Sequence, residues 1–130
     1  MPASKMHQPH TVLVVDDEPA IREMLQDVLS SEGHEVITAG DGVAALHALR
    51  DGGPRPCMIL LDLMMPRMNG WDFAGELRAD EQLQDIPFVI IAANPRFAAD
   101  APHLGASRWL GKPLQLDDLI ETVDELCAGT

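Results

Sequence analysis

CMILLDLMMPRMNG, residues 57 to 70, ends an apolar run on an acidic residue, Asp62, and follows it at once with proline and glycine. Met58, Ile59, Leu60 and Leu61 have the length and flanks of a strand buried on both faces, as in a parallel sheet, while periodicity alone leaves a short buried helix open. Pro66 and Gly70 stop any strand from running beyond about Leu63. A carboxylate at the carboxyl end of a central parallel strand points into the crevice where open α/β sheets bind ligands. Position alone therefore makes Asp62 a functional candidate.

Outward from this segment, short apolar runs alternate with segments of helical period, which is the α/β pattern. Thr11 to Val15 reads as a first strand, and Asp16, Asp17, Glu18 and Pro19 mark the turn into a helix. Ile21, Met24, Leu25, Val28 and Leu29 form one apolar stripe that Gly33 ends. Glu35 to Ala39 is a second strand; after the turn Gly40-Asp41-Gly42, Ala45, Leu46 and Leu49 mark a second helix closed by Gly52-Gly53-Pro54. The third strand leads to Asp62, and Trp71, Ala74 and Leu77 place a third helix after Gly70. Ile86 to Ala93 reads as a fourth strand. Pro95, Pro102 and Gly105 leave room for only a short helix in residues 94–106. Ser107 to Leu110 is the fifth strand, and Leu116, Leu119, Ile120, Val123 and Leu126 make the last amphipathic helix. Right-handed crossovers fold five such units into a parallel sheet with helices on both faces.

With 130 residues and 46% apolar composition, the chain is expected to be one domain at residues 11–128 behind a flexible tail at 1–10. No apolar run approaches the roughly 20 residues that span a bilayer, and residues 1–10 lack the apolar segment of a signal peptide, so a cytoplasmic protein without membrane contact is expected. A net charge of −12 would repel nucleic acid, and the nine basic residues form no run. Cys57 and Cys127 form no CxxC pair, which favours two reduced thiols over a disulfide or a metal site.

Asp16 and Asp17 follow the first strand, Asp62 the third and Lys112 the fifth. If the first and third strands are neighbours, the carboxylates converge, and like charges that close require a proton or a cation. A hard divalent ion such as Mg²⁺ suits carboxylates, and no Cys or His stands at ligand spacing to suggest zinc. An oxygen of Asp62 could then attack phosphorus in line to form an aspartyl phosphate, with Lys112 reaching a phosphoryl oxygen from the other side. Taken alone, Asp16 and Asp17 read better as helix caps and Lys112 as a solvated loop lysine. In combination the catalytic reading prevails.

At these residues the chain resembles the receiver domain of two-component response regulators, through VVDDEP at 14–19, LLDLMMPRMNG at 60–70 and GASRWLGKP at 105–113. The resemblance covers roughly residues 11–128 and implies a five-stranded flavodoxin-like sheet of order 2-1-3-4-5. It also implies Asp62 as phosphoacceptor, Asp16, Asp17, Asp62 and the Met64 backbone carbonyl around Mg²⁺ or Mn²⁺, and Lys112 on the phosphoryl group. The donor would be a histidine kinase or histidine phosphotransfer protein. The chain would be a stand-alone signalling domain rather than an enzyme, a monomer or weak dimer, acting on a downstream protein that the sequence does not identify.

Two positions depart from the family pattern or bear on it. Ala92 stands where receivers carry Ser or Thr, whose hydroxyl bonds the phosphoryl group, and Trp109 stands where they carry a switch aromatic. Ala92 is expected to leave room for Trp109 to stay inward in both states, weakening the coupling. A phosphorylation-independent or weakly switching binding scaffold is therefore the alternative. An aspartate-nucleophile phosphatase ranks lower, because Met64 occupies the place of its second Asp, and a flavin-binding flavodoxin lower still. His47 reads as an exposed helical histidine.

Overall fold

The structure, a computed structural model, describes residues 10–128. The expected tail, His10 apart, lies outside the described residues. Five parallel strands lie in the order β2-β1-β3-β4-β5, as expected. They are β1 (Thr11–Val15), β2 (Glu35–Ala39), β3 (Met58–Asp62), β4 (Phe88–Ala92) and β5 (Arg108–Gly111). The helices are α1 (Pro19–Ser31), α2 (Gly42–Arg50), α3 (Gly70–Ala79), α4 (Asp100–Leu104) and α5 (Leu116–Ala128). β1, β3 and β4 are buried along their whole length, whereas the edge strands β2 and β5 are partly exposed. That difference explains why MILL and FVIIA read as continuous apolar runs and the edges do not.

Strand alternation sorts the core into two layers. Leu13, Val15, Ile59, Leu61, Phe88 and Ile90 face one way and pack with Leu46 of α2, Phe73 and Leu77 of α3 and Ala101 of α4. Val12, Val14, Met58, Leu60, Val89 and Ile91 face the other way and meet Leu25 and Leu29 of α1 and Leu119 and Val123 of α5. Leu25 and Leu29 are completely buried; covering such a side chain contributes about 1.5–3 kcal/mol each.

The strand edges differ slightly from expectation. β4 starts at Phe88 rather than Ile86, because the Ile86 N–H turns back to the Leu83 carbonyl (3.0 Å), and Pro87 has no N–H to donate. β5 lies one residue later than expected, so that Ala92 faces Gly111 across the last pair of strands. Residues 95–104 form the short helical segment that the prolines allow, a 3₁₀ turn (Pro95–Ala99) running into α4 and ending at Gly105, whose φ of 90° favours glycine.

The expectation of two reduced thiols is overturned: Cys57 and Cys127 form a disulfide. The two residues are 70 apart in the chain, yet their Cα atoms lie 5.2 Å apart, because the entry to β3 abuts the end of α5. Neither CxxC spacing nor composition registers a contact made only by the tertiary fold.

Gly70 fixes how α3 approaches the end of β3. A Cβ there would lie 2.6 Å from Leu63 Cα and 2.8 Å from the Asp62 carbonyl oxygen, both backbone atoms that cannot swing aside. Gly70→Ala should therefore destabilise the fold by about 1–3 kcal/mol, read as a lower urea midpoint with an unchanged slope. A wild-type midpoint would show that the backbone yields.

Candidate functional site at the carboxyl edge of the sheet

Asp16 directly follows β1, Asp62 ends β3, Ala92 ends β4 and Lys112 directly follows β5, so the parallel sheet delivers all four to one edge. Asp16 and Asp62 continue the alternation of Val14 and Leu60, which points both carboxylates to the same side. Among the described residues, Asp16, Asp17 and Asp62 can each offer one oxygen within 4.8 Å of the others. Lys112 Nζ lies 3.0 Å from Asp16 Oδ2 and 3.7 Å from Asp62 Oδ2. Asp17, Asp62 and Lys112, with Glu18, Met64, Ala92 and Ala93, border a cleft of about 290 Å³, and Asp16 beside them is fully buried.

Asp16 is hydrogen-bonded at three of its four polar atoms. Its N–H donates to the Ala39 carbonyl (3.1 Å), its carbonyl accepts from Arg22 Nη1 (2.7 Å) and its Oδ1 accepts the Glu18 N–H (2.9 Å). Asp16 thus braces the turn before α1 rather than capping the helix, whose cap position, Glu18, makes no side-chain hydrogen bond. Asp16 Oδ2 is buried without a hydrogen bond of good geometry, despite the nearby ammonium. A buried carboxylate oxygen that makes an ion pair but no hydrogen bond, beside two further carboxylates, suits a small hard cation, and the all-oxygen donor set matches Mg²⁺ or Mn²⁺ rather than zinc.

Burial is the main reason the Asp62 carboxyl is pushed up to about 6, and the Asp16 charge adds to it. Lys112 and the Met64 N–H, which donates to Asp62 Oδ1 at 3.3 Å, oppose the rise, and Asp17 reinforces it. Burial alone would lower Lys112, but the Asp16 carboxylate 3.0 Å away, the Asp62 charge and the Glu18 hydrogen bond raise it overall, keeping the ammonium charged at neutral pH.

A raised carboxyl means that, between pH about 4 and about 6, the folded chain holds a proton the unfolded chain has released. Asp62 therefore lowers stability as pH rises through that window. Asp62→Asn removes the buried charge, so the metal-free variant should be more stable than wild type at pH 7, with the gap closing by about pH 4. Urea melts at the two pH values check this, and a variant less stable at pH 7 would refute it.

Ala92 is 2% exposed and presents only a methyl group to the cleft. Trp109 is partly buried against the layer formed by α2, α3 and α4, with its indole lying over Gly111: a Cβ on Gly111 would be 3.4 Å from Trp109 Cη2. Trp109 Nε1 is buried without a hydrogen-bond partner. Met64 is exposed. His47 is exposed on α2, away from the cleft, as expected.

Sequence reasoning treated Glu18 only as part of a turn, yet its Oε1 lies 3.2 Å from Lys112 Nζ. The pair is separated by 94 residues, and no local spacing could have disclosed it. Arg22 is not singled out from the sequence, yet its guanidinium donates to the Asp16 carbonyl.

Comparison with known proteins supports this geometry. Residues 12–124 match the family model described as the response regulator receiver domain. The DNA-binding response regulator MtrA of Mycolicibacterium smegmatis is 40% identical over 114 residues, covering 86% of this chain and 48% of that protein. The chain thus spans about half the length of the curated relatives it matches. Among solved structures, the chemotaxis response regulator CheY4 of Vibrio cholerae aligns with a TM-score of 0.81 at 31% identity, covering 92% of this chain and 99% of that one. Response regulator TrrA of Thermotoga maritima, solved in complex with Mg²⁺-BeF, aligns with a TM-score of 0.79 at 34% identity, covering 90% and 98%.

Proposed function

The chain belongs to the response regulator receiver family, and on that premise we propose that Asp62 accepts a phosphoryl group from a phosphohistidine and that the chain signals through protein contacts. The observation that carries this reading is the meeting of Asp62 with Asp16, Asp17 and the Lys112 ammonium at one edge of the sheet. A carboxylate oxygen of Asp62 forms the new P–O bond as the P–N bond to the donor imidazole breaks and its electron pair returns to the ring nitrogen. Lys112, already charged and 3.7 Å from Asp62 Oδ2, is placed to attract a phosphoryl oxygen. Asp16, Asp17, Asp62 and the Met64 carbonyl would hold Mg²⁺ or Mn²⁺, which when bound neutralises charge on the incoming oxygens.

Upstream, the partner is a histidine kinase or a histidine phosphotransfer protein. Turnover is confined to the protein's own aspartyl phosphate, which makes it a signalling domain rather than an enzyme. Among the described residues no helix is long and apolar enough to cross a membrane. A cytoplasmic location and a monomer or weak dimer are part of the same proposal. The DNA binding named for MtrA is not carried over, since a net charge of −12 opposes contact with a phosphate backbone.

Incubation with a small phosphodonor, with and without Mg²⁺, followed by intact-mass measurement tests the proposal. One added phosphoryl group that requires the metal is expected. An unlabelled chain would overturn the reading, and rapid hydrolysis of a phosphomonoester would point to a phosphatase instead. A second reading, a binding scaffold that switches weakly, is favoured by the Ala92 methyl and by the Trp109 indole packed over Gly111.

A further inference from the structure

The β3–α3 loop, residues 63–69, is fastened to the β2–α2 turn by adjacent ties. Arg67 sits at φ 61°, among the described residues the one non-glycine position with positive φ, a backbone state that side chains other than glycine adopt at a cost. Its guanidinium reaches Asp41, whose Oδ2 accepts from Arg67 Nε at 2.8 Å and also from Nη2. Asp41 is 3% exposed, and a buried carboxylate requires a partner. Its other oxygen accepts the Ala44 N–H at 2.8 Å and so caps α2. Beside this pair, the Gly42 N–H donates to the Met68 carbonyl at 3.2 Å, and Met68 packs so close that a Cβ on Gly42 would lie 2.7 Å from Met68 Cγ. The same loop carries Met64, whose N–H donates to Asp62 Oδ1.

We infer that Arg67 is a positioning residue: its ion pair with Asp41 clasps the β3–α3 loop and thereby holds the Met64 peptide against Asp62. The inference deepens the phosphoacceptor reading and rests on it for its bearing on metal binding. The left-handed backbone turns the Arg67 side chain away from the cleft and onto α2, so the clasp touches neither phosphate nor cation. Its effect reaches the site through the loop backbone, as partners outside a metal's own ligand set commonly do. The Ala44 and Arg67 hydrogen bonds and the Arg67 charge hold the Asp41 carboxyl below its usual range despite burial, so the pair stays ionised at neutral pH.

Arg67→Gln and Asp41→Asn test the clasp, since each removes one charge and the amide introduced by Asp41→Asn would keep an oxygen for the α2 cap. Hydrogen exchange at the Met64 amide of the metal-free protein should quicken about tenfold in either variant, with β1 and β3 amides unchanged, and the Mg²⁺ dissociation constant from calorimetry should rise about tenfold. The double variant should be no worse than either single one, because both break one interaction. Arg67→Gly relieves the backbone but leaves the buried Asp41 carboxylate without its ion partner, so it should lose the same Met64 protection despite the relaxed φ; Arg67→Lys should restore part of it. Wild-type exchange at Met64 in the Gln and Asn variants, or additive effects in the double variant, would overturn the inference. Should wild type bind no Mg²⁺ while Met64 still responds to Arg67, the clasp stands and the phosphoacceptor reading fails.

Discussion

Asp62→Asn should abolish phosphoryl labelling, a loss of more than about a thousandfold in rate. Asn has nearly the shape of Asp, but its amide offers no anionic oxygen to phosphorus. The other two carboxylates cannot easily substitute. Asp16 is completely buried, with Oδ1 on the Glu18 N–H and Oδ2 facing Lys112, so a phosphoryl donor has no approach to it. Asp17 is exposed but stands at the rim, on the turn into α1. Because the same substitution should make the metal-free fold more stable at pH 7, lost labelling cannot be ascribed to unfolding: an inert variant with a higher urea midpoint separates chemistry from structure. Intact mass and peptide mapping decide the matter. Labelling that survives Asp62→Asn and maps to Asp17 would move the acceptor and overturn the assignment.

This assignment was legible in the sequence because parallel α/β architecture converts chain order into place. TVLVV is followed at once by Asp16 and Asp17, MILLD ends on Asp62 and GKP follows the fifth apolar run; once the runs are strands of one parallel sheet, their ends share an edge. Alternation supplied the rest, since Val14 and Leu60 face the same layer as each other and the carboxylates continue their phase. What was not legible depends on side chains that meet across the fold with no periodic trace. Cys57 and Cys127 are one case, joined because α5 returns to the start of β3. Glu18 on Lys112 is another, and Arg67 on Asp41 a third, as both look like ordinary turn residues until β2, β3 and β5 are brought together. The strand ends moved for a simpler reason: apolarity continues through Ile86 because it is buried in a turn, 4% exposed, and burial rather than strand pairing is what the apolar run recorded.

Ala92→Thr should give the protein a phosphorylation response that the wild-type chain largely lacks. At the end of β4 the Ala92 methyl offers no donor to a phosphoryl oxygen. A hydrogen bond to a charged group contributes about 1.5–3 kcal/mol, which changes a two-state population ratio by roughly ten- to over a hundredfold. Threonine suits a strand, and because the facing residue, Gly111, is covered by the Trp109 indole, the larger side chain competes with the indole for that space. In wild type the indole of Trp109 already rests over Gly111 against the core, so a phosphoryl mimic has little inward movement left to drive. Beryllofluoride with Mg²⁺ should therefore alter wild-type Trp109 fluorescence only slightly, and the threonine variant, or a smaller serine one, should gain a saturable change. A Trp71→Phe background leaves Trp109 as the sole tryptophan of the two in the chain. Were the wild-type signal already large and saturable, the absent hydroxyl would not be what limits the switch, and the weakly switching scaffold would lose the observation that favours it.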